Sequence, residues 1–292
     1  MVLYRMKRPT SPTSASEISL FRLCPRAWAA KHAWDGWVAP PEDGRVFALG
    51  RMYHAAAEVY LTRGTLPGPG VISELFMCGL PYLPAPGACT SVETRHTIDI
   101  EGVPATVTAD AVAHKDGAVG IWDHKTAKDP KQYWLWDAAA KLADTQTVLY
   151  SNAYLGQADG VWFDHVYVRV HRAAVLLHGV AEKAEAFALT PKGWSSMTFL
   201  PRANLQEAYQ STCVEPARRL YELRRKGPVD PATLEQGPND ADGRPPCDAY
   251  GGCKWKAKCH PKGSFAAADD PALAPAWSVN PWAAPVLPKL SP

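Results

Sequence analysis

Residues 103–127, VPATVTADAVAHKDGAVGIWDHKTA, constrain the fold more than any other stretch of the chain. Apolar and small residues alternate on either side of Asp116-Gly117, a pair suited to a two-residue hairpin loop in which both positions take positive φ. With that loop Lys115 faces Ala118, and counting outwards sets Val112 opposite Ile121 and Asp110 opposite Asp123. Side chains alternate between faces along a strand, so Lys125 shares the face of Asp123, while Ala111 meets Trp122 on the other. Directly opposed Cβ atoms stand about 4.5–5.5 Å apart. Two carboxylates that close repel each other unless a cation lies between them or one is protonated. A loop one residue longer would turn the aspartates to opposite faces, so everything that follows depends on this register.

A divalent metal answers that repulsion. Hard oxygen ligands suit Mg²⁺ or Mn²⁺, which take one or two protein carboxylates together with water and phosphate oxygens. A lysine beside the ion can orient or deprotonate the attacking water and offset charge in the transition state. Asp110, Asp123 and Lys125 together therefore describe metal-assisted phosphodiester hydrolysis. The plain alternative is a solvated Asp, Asp, Lys cluster, because D-x-K is frequent by chance.

The rest of the chain reads as alternating helix and strand. TSASEISLFRLCPRAWAAKH opens with a possible capping box, Ser14 and Glu17, and puts Cys24 near the buried stripe of a first helix. ALGRMYHAAAEVYLTRG predicts a second helix, ending near Gly64, followed by a loop rich in Pro and Gly from about 64 to 89. TSVETRHTIDIEG, VPATVTADAVAHK and GAVGIWDHKTA predict three strands. AAAKLADTQTVLYSNAYLG predicts a helix, GVWFDHVYVRVHRA and AEAFALT two further strands, and residues 202–226 a long helix kinked at Pro216. From Phe265 the chain is too rich in Pro and Ala for regular packing and reads as a disordered tail, residues 265–292.

Composition narrows the class. No apolar run approaches the ~18 residues of a membrane span, and the start lacks the apolar core of a secretion signal, so a cytoplasmic protein with no membrane partner is expected. The seven cysteines are then better read as reactive, buried or metal-bound thiols than as disulfides. A net charge of +2 excludes wholesale coating of a polyanion but allows a local basic groove.

Asp110 followed after a hairpin by Asp123-His124-Lys125-Thr126 resembles the core of the PD-(D/E)XK nuclease superfamily, in its RecB-like and CRISPR-associated exonuclease branch. The resemblance covers about Ser14 to Lys262 and extends to His54, at the place of a metal-ligating histidine on the helix before the strands. The alternative for His54 is a pairing with Glu58 one turn on. Gln146 and Tyr150 resemble the family's Q-x-x-x-Y motif. Cys247, Cys253 and Cys259 stand at C-x5-C-x5-C spacing after the core, and Cys24 precedes it, as in the iron-sulfur members. The chain departs from the pattern at Val107, where the family often has Gly, and at Asp123, where many relatives have Glu.

The resemblance implies an α/β fold: a restriction-endonuclease-like core with a mixed central sheet flanked by helices, residues 1–264, and an iron-sulfur clasp joining its N- and C-terminal parts. It implies that His54, Asp110, Asp123 and the His124 carbonyl bind Mg²⁺ or Mn²⁺. Lys125 would position the attacking water, and Gln146 and Tyr150 would support substrate. Cys24, Cys247, Cys253 and Cys259 would hold a 4Fe-4S cluster, with zinc second and free thiols third; Cys78, Cys89 and Cys213 read as packing residues. The implied activity is that of a DNA nuclease, an exonuclease acting on single strands or strand ends in recombination, repair or phage replication. Lys128, Lys131, Lys141, the 218–226 basic stretch (Arg218, Arg219, Arg224, Arg225, Lys226) and Lys254, Lys256 and Lys258 around Trp255 are the candidates to track phosphates. The tail, with Trp277 and Trp282, is a candidate contact for a replication or recombination protein. Two alternatives stay open: a catalytically silent nucleic-acid-binding subunit with a structural cluster, and a zinc-stabilised interaction protein.

Overall fold

A computed structural model describes residues 11–32, 44–127, 137–169, 193–227, 229 and 233–234. The chain divides into two compact units, one of residues 44–100 and 105–214, the other of residues 1–43, 101–104 and 215–292. The strand predicted at AEAFALT, the cysteines at 247, 253 and 259, Lys128, Lys131, the 254–258 lysines and the tail all lie outside the described residues. No helix among the described residues is long and apolar enough to cross a membrane.

The larger unit is mixed α/β. Its elements are α3 (Gly44–Arg63), α4 (Val71–Gly79), β2 (Ser91–Val92), β3 (Arg95–Ile100), most of β4 (Val103–Thr108), β5 (Ala111–Lys115), β6 (Ala118–Ala127), α5 (Ala138–Ala143), α6 (Thr145–Tyr154), β7 (Gly160–Arg169), β8 (Gly193–Ser195), β9 (Thr198–Pro201) and α7 (Arg202–Tyr209). Strand order is β2-β5-β6-β7-β8, with β9 also paired to β7. β6 and β7 run parallel, and the other pairs are antiparallel. A parallel pair needs a long crossover, and α5 and α6 lie in the connection from β6 to β7.

The hairpin has the register its alternation predicts. Lys115 pairs with Ala118, Val112 with Ile121 and Ala111 with Trp122, and the loop residues Asp116 and Gly117 take φ of 50° and 79°. Both faces of this sheet are covered by helices. On one, Val112, Ile121, Val161, Phe163 and Leu200 pack with Leu205 and with Leu142, Tyr150 and Tyr154 of the α5–α6 pair. On the other, Val168 meets Leu49, Tyr53 and Ala57 of α3 and Leu75 and Phe76 of α4. Burying each large apolar side chain contributes about 1.5–3 kcal/mol, so these two layers fix where the strand ends lie.

Five expectations need correction. The 64–89 stretch is not all loop: Leu75 and Phe76 are buried on α4, whose short apolar stripe the flanking Pro and Gly conceal. VPATVTADAVAHK is two strands, β4 and β5, broken at Ala109-Asp110, and TSVETRHTIDIEG likewise divides into β2 and β3. The 138–156 helix is two helices, because the Asp144 carboxylate accepts the Thr147 N–H at 2.7 Å and starts α6 afresh. The long C-terminal helix changes at a π-helical turn, Gln210–Val214, before Pro216, rather than running straight into a proline kink.

In the smaller unit, α1 (Ala15–Leu23), α2 (Pro25–His32) and α8 (Glu215–Arg225) surround Phe21, Trp28, Ala29 and Leu220. Ser14 Oγ accepts the Glu17 N–H at 3.3 Å, half of the expected capping box. The Glu17 carboxylate does not reach back. It is buried, where it pairs with Arg224 and accepts from Trp28 Nε1 at 3.1 Å and Thr13 Oγ1 at 3.3 Å. Cys24 is a buried residue at the C-terminal cap of α1.

Lys141 is a further anchor within the larger unit. Its side chain is fully buried, and Nζ donates to the carbonyls of Phe163 (2.7 Å) and Ser196 and to Thr198 Oγ1 (3.0 Å). It ties α5 to β7 and β9 and is not the phosphate-tracking lysine its position had implied. Burial lowers its pKa to about 8, against the opposing pull of Asp164. Between that value and the ordinary lysine value the folded chain binds fewer protons here than the unfolded chain. This group's contribution to stability therefore rises with pH across that window. Urea denaturation at pH 7.5 and 9.5 is expected to show that rise in the wild type and a smaller one in Lys141→Met.

Candidate metal centre

The site assembles where β6 ends beside the bend that precedes β5. On α3, Tyr53 packs inward, and its neighbour His54 reaches the strand end. His54 Nε2 lies 3.0 Å from the backbone oxygen of His124. Its Nδ1 lies 3.1 Å from Glu93 Oε1 and 3.5 Å from Asp110 Oδ1. Asp110 accepts the His124 backbone N–H through Oδ2 at 2.5 Å, so the hairpin register directly fixes this carboxylate.

Asp123 and Lys125 flank His124, one residue to either side on the same strand, and face α6. Lys125 Nζ is 2.8 Å from Asp123 Oδ2 and donates to Gln146 Oε1 at 3.1 Å, while Gln146 Nε2 donates to Asp123 Oδ1 at 3.1 Å. The Asp144 cap puts Gln146 in the first turn of α6, which lets its amide close this three-residue ring. Tyr150, one turn on, packs into the core beneath the site. Parallel pairing sets His165 of β7 beside Asp123, with Nε2 3.4 Å from Oδ2.

The electrostatics separate the two aspartates, as happens when paired carboxylates meet unlike surroundings. Burial would raise Asp110, but its hydrogen bond to His54 and the charges of His124 and His54 outweigh this and hold it below the usual carboxylate range. Asp123 is pushed up to about 6, by burial first; Lys125 opposes the rise and Asp110 adds to it. For His54, burial lowers the pKa, but the hydrogen bonds to Asp110 and Glu93 reverse the sign and lift it to about 10. Burial pulls His124 down to about 4 and His165 to about 2. Tyr150 is raised to about 12 by burial, with Asp123 and Asp110 adding. Thus Asp110 has His54 as its local cation and Asp123 has Lys125.

His54, Asp110, Asp123, His124, Lys125, Gln146 and Tyr150 are brought together from four segments: α3, the bend before β5, β6 and α6. His54 does not pair with Glu58 in the hydrogen bonds of its ring; both nitrogens turn toward the strand end. The ring of His124 joins in as well as its carbonyl: His54, Asp110 and His124 offer three ligand atoms within 4.8 Å of one another. Cys24 is described without the other three cysteines. Cys213 is buried, and Cys78 and Cys89 are half-buried. The basic stretch of α8 is partly committed to structure, since Arg224 is buried on Glu17 and Arg218 pairs with Glu101 at 2.7 Å. Arg219 lies 5.9 Å from the Phe21 ring centre.

Glu93 and His165 were missed by sequence reasoning. His165 had one usable signal: it falls in the strand predicted after the D-x-K segment, but only the parallel register, which pairs Asp123 with His165, brings it to the site. Glu93 had none, since it belongs to a tight turn between two short strands.

No protein-family model matches the chain, and no curated protein matches it. Among solved structures, one titled "Crystal structure of SSO0001" aligns with 88% of this chain and 90% of that chain at 14% identity. Its TM-score of 0.34 is too low to carry an argument about fold or function.

Proposed function

We propose that this chain is a metal-dependent DNA nuclease of the PD-(D/E)XK type, built on a restriction-endonuclease-like core and acting as an exonuclease on single strands or strand ends. The observation that carries the reading is the convergence of Asp110, Asp123, the His124 carbonyl and His54 Nε2 at one strand end, with Lys125 bonded to both Asp123 and Gln146. The donor set suits Mg²⁺ or Mn²⁺. His54 Nε2 and the His124 carbonyl oxygen, 3.0 Å apart, would be two of the ion's ligands, with Asp110 and Asp123 supplying the carboxylates. When bound there, such an ion would supply polarisation of the scissile phosphate and activation of the attacking water.

The protein groups supply the rest. Lys125, an ammonium already donating to Asp123 and Gln146, orients the water and offsets charge on the phosphate. Gln146 holds Lys125 and Asp123 through its amide, and Tyr150, half-buried one turn on, would support the substrate. Cys24, with Cys247, Cys253 and Cys259, forms a 4Fe-4S clasp in this reading, zinc being the second occupant.

The test is cleavage of end-labelled single- and double-stranded DNA by anaerobically purified protein. Degradation with Mn²⁺ or Mg²⁺, none with chelator and none by Asp110→Asn is the expected result. DNA binding with equal inactivity of wild type and Asp110→Asn would replace this reading with that of a silent binding subunit. A brown protein that loses its colour in Cys24→Ser supports the cluster, and stoichiometric zinc in a colourless protein refutes it.

A further inference from the structure

We propose that Glu93 is the residue that aims His54 at the cation, accepting the Nδ1 proton so that Nε2 keeps its lone pair for the metal. The inference rests on the metal-site reading above and adds a residue that no part of the D-x-K pattern contains. An imidazole binds a metal through one nitrogen only if its tautomer leaves that nitrogen unprotonated, and a carboxylate on the far nitrogen sets the tautomer and the ring plane together. Glu93 Oε1 lies 3.1 Å from Nδ1, nearer than Asp110 Oδ1 at 3.5 Å. Once Asp110 turns its oxygens to a cation, Glu93 is left as the acceptor for Nδ1.

The backbone supports the same assignment independently. Glu93 has φ of 47°, a left-handed conformation that costs a non-glycine residue free energy. Such strain persists where the surroundings hold it, and it is concentrated at functional sites. Here the surroundings are visible: Ser91 and Val92 pair with Val112 and Ala111, and the Glu93 N–H donates to the backbone oxygen of Asp110 itself at 3.1 Å. Thr94 Oγ1 closes the turn onto the Val92 carbonyl at 3.1 Å. Glu101 and Asp116 take similar positive φ in other turns, so what marks Glu93 out is that its turn also holds the Asp110 main chain and its side chain meets His54. The same turn thus ties Asp110 by its main chain and His54 by its side chain.

The experiment is Mn²⁺ binding to the full-length protein, followed by calorimetry and by pulsed electron paramagnetic resonance, which reads nitrogen coupling to the ion. Relative to wild type, Glu93→Ala is expected to bind Mn²⁺ about 10- to 100-fold more weakly, with the imidazole coupling diminished. Glu93→Gln, whose amide oxygen also accepts the Nδ1 proton, is expected to recover most of the affinity and the coupling. Glu93→Gly, which relaxes the turn, is expected to bind as weakly as Glu93→Ala while its metal-free melting temperature does not fall. Glu93→Ala binding within twofold of wild type with unchanged coupling would overturn the inference and leave the metal site standing. Glu93→Gln as weak as Glu93→Ala would overturn it by making Glu93 a direct ligand. Wild type that binds no Mn²⁺ overturns the metal-site reading and this inference with it.

Discussion

Lys125→Ala is expected to lower the turnover of DNA cleavage about 100- to 1,000-fold, the range for losing one preorganised donor or acid–base group at a transition state. The geometry makes the variant informative. Lys125 Nζ touches Asp123 at 2.8 Å and Gln146 at 3.1 Å and is no ligand of the proposed ion. Removing it takes a competing cation away from Asp123, so Mn²⁺ affinity is expected to hold or rise while turnover collapses. The Gln146 amide still bonds Asp123 in the variant, and His165 still packs beside it, which keeps the carboxylate in place. Single-turnover cleavage at saturating Mn²⁺, set beside calorimetric Mn²⁺ titration, separates the two effects. Loss of turnover accompanied by an equal loss of metal binding would show that Lys125 acts only by holding Asp123. Cleavage within threefold of wild type would remove it from the mechanism.

The largest effect on stability is expected at Glu17→Ala. The substitution strands Arg224, whose side chain is 3% exposed, without its carboxylate. Breaking one partner of a buried pair typically costs about 3–5 kcal/mol, because the remaining charge has lost its compensation. Trp28 Nε1 and Thr13 Oγ1 lose an acceptor at the same time. Arg224→Leu in the Glu17→Ala background is expected to return part of the loss, since it removes the stranded charge, and urea denaturation of the four proteins gives the coupling directly. Additive effects of the two single substitutions would show that the pair is not a unit. The pair also joins α1 to α8 without any metal. The smaller unit is therefore expected to keep part of its structure in Cys24→Ser, whether or not a cluster forms.

The comparison of sequence and structure turns on range. The Asp116-Gly117 hairpin was legible because alternation and turn chemistry act over neighbouring residues, and its register followed by counting as far as Ala111 and Trp122; the ladder stops there, and Asp110 sits in the bend with its carboxylate on the His124 N–H. The Asp144 cap was equally local, and D-T-Q-T could have placed the break between α5 and α6. α4 was hidden because Pro and Gly on both sides outweigh a nine-residue apolar stripe. Lys141 and Arg224 looked like solvent-facing charges, since nothing nearby in sequence names the carbonyls or the carboxylate that receive them. Glu93 and His165 reach the site only through strand pairing, β2 with β5 and β6 with β7, and a single sequence does not print those registers.

The one parallel register in the sheet has a consequence for the order in which this protein becomes competent. Asp123 and Lys125 gain their partners only when α6 has docked and β7 has aligned along β6, and the His54–His124 contact spans 70 residues, so the site closes through long-range contacts. Contacts of that range are slow to form, because the loop must be closed before the contact stabilises it. A growing chain that has emerged only as far as the hairpin already holds His54 and His124, the partners of Asp110, but not Gln146 or His165, the partners of Asp123 and Lys125. The order of synthesis thus leaves Asp123 and Lys125 without their full set of partners until the crossover to β7 has been made.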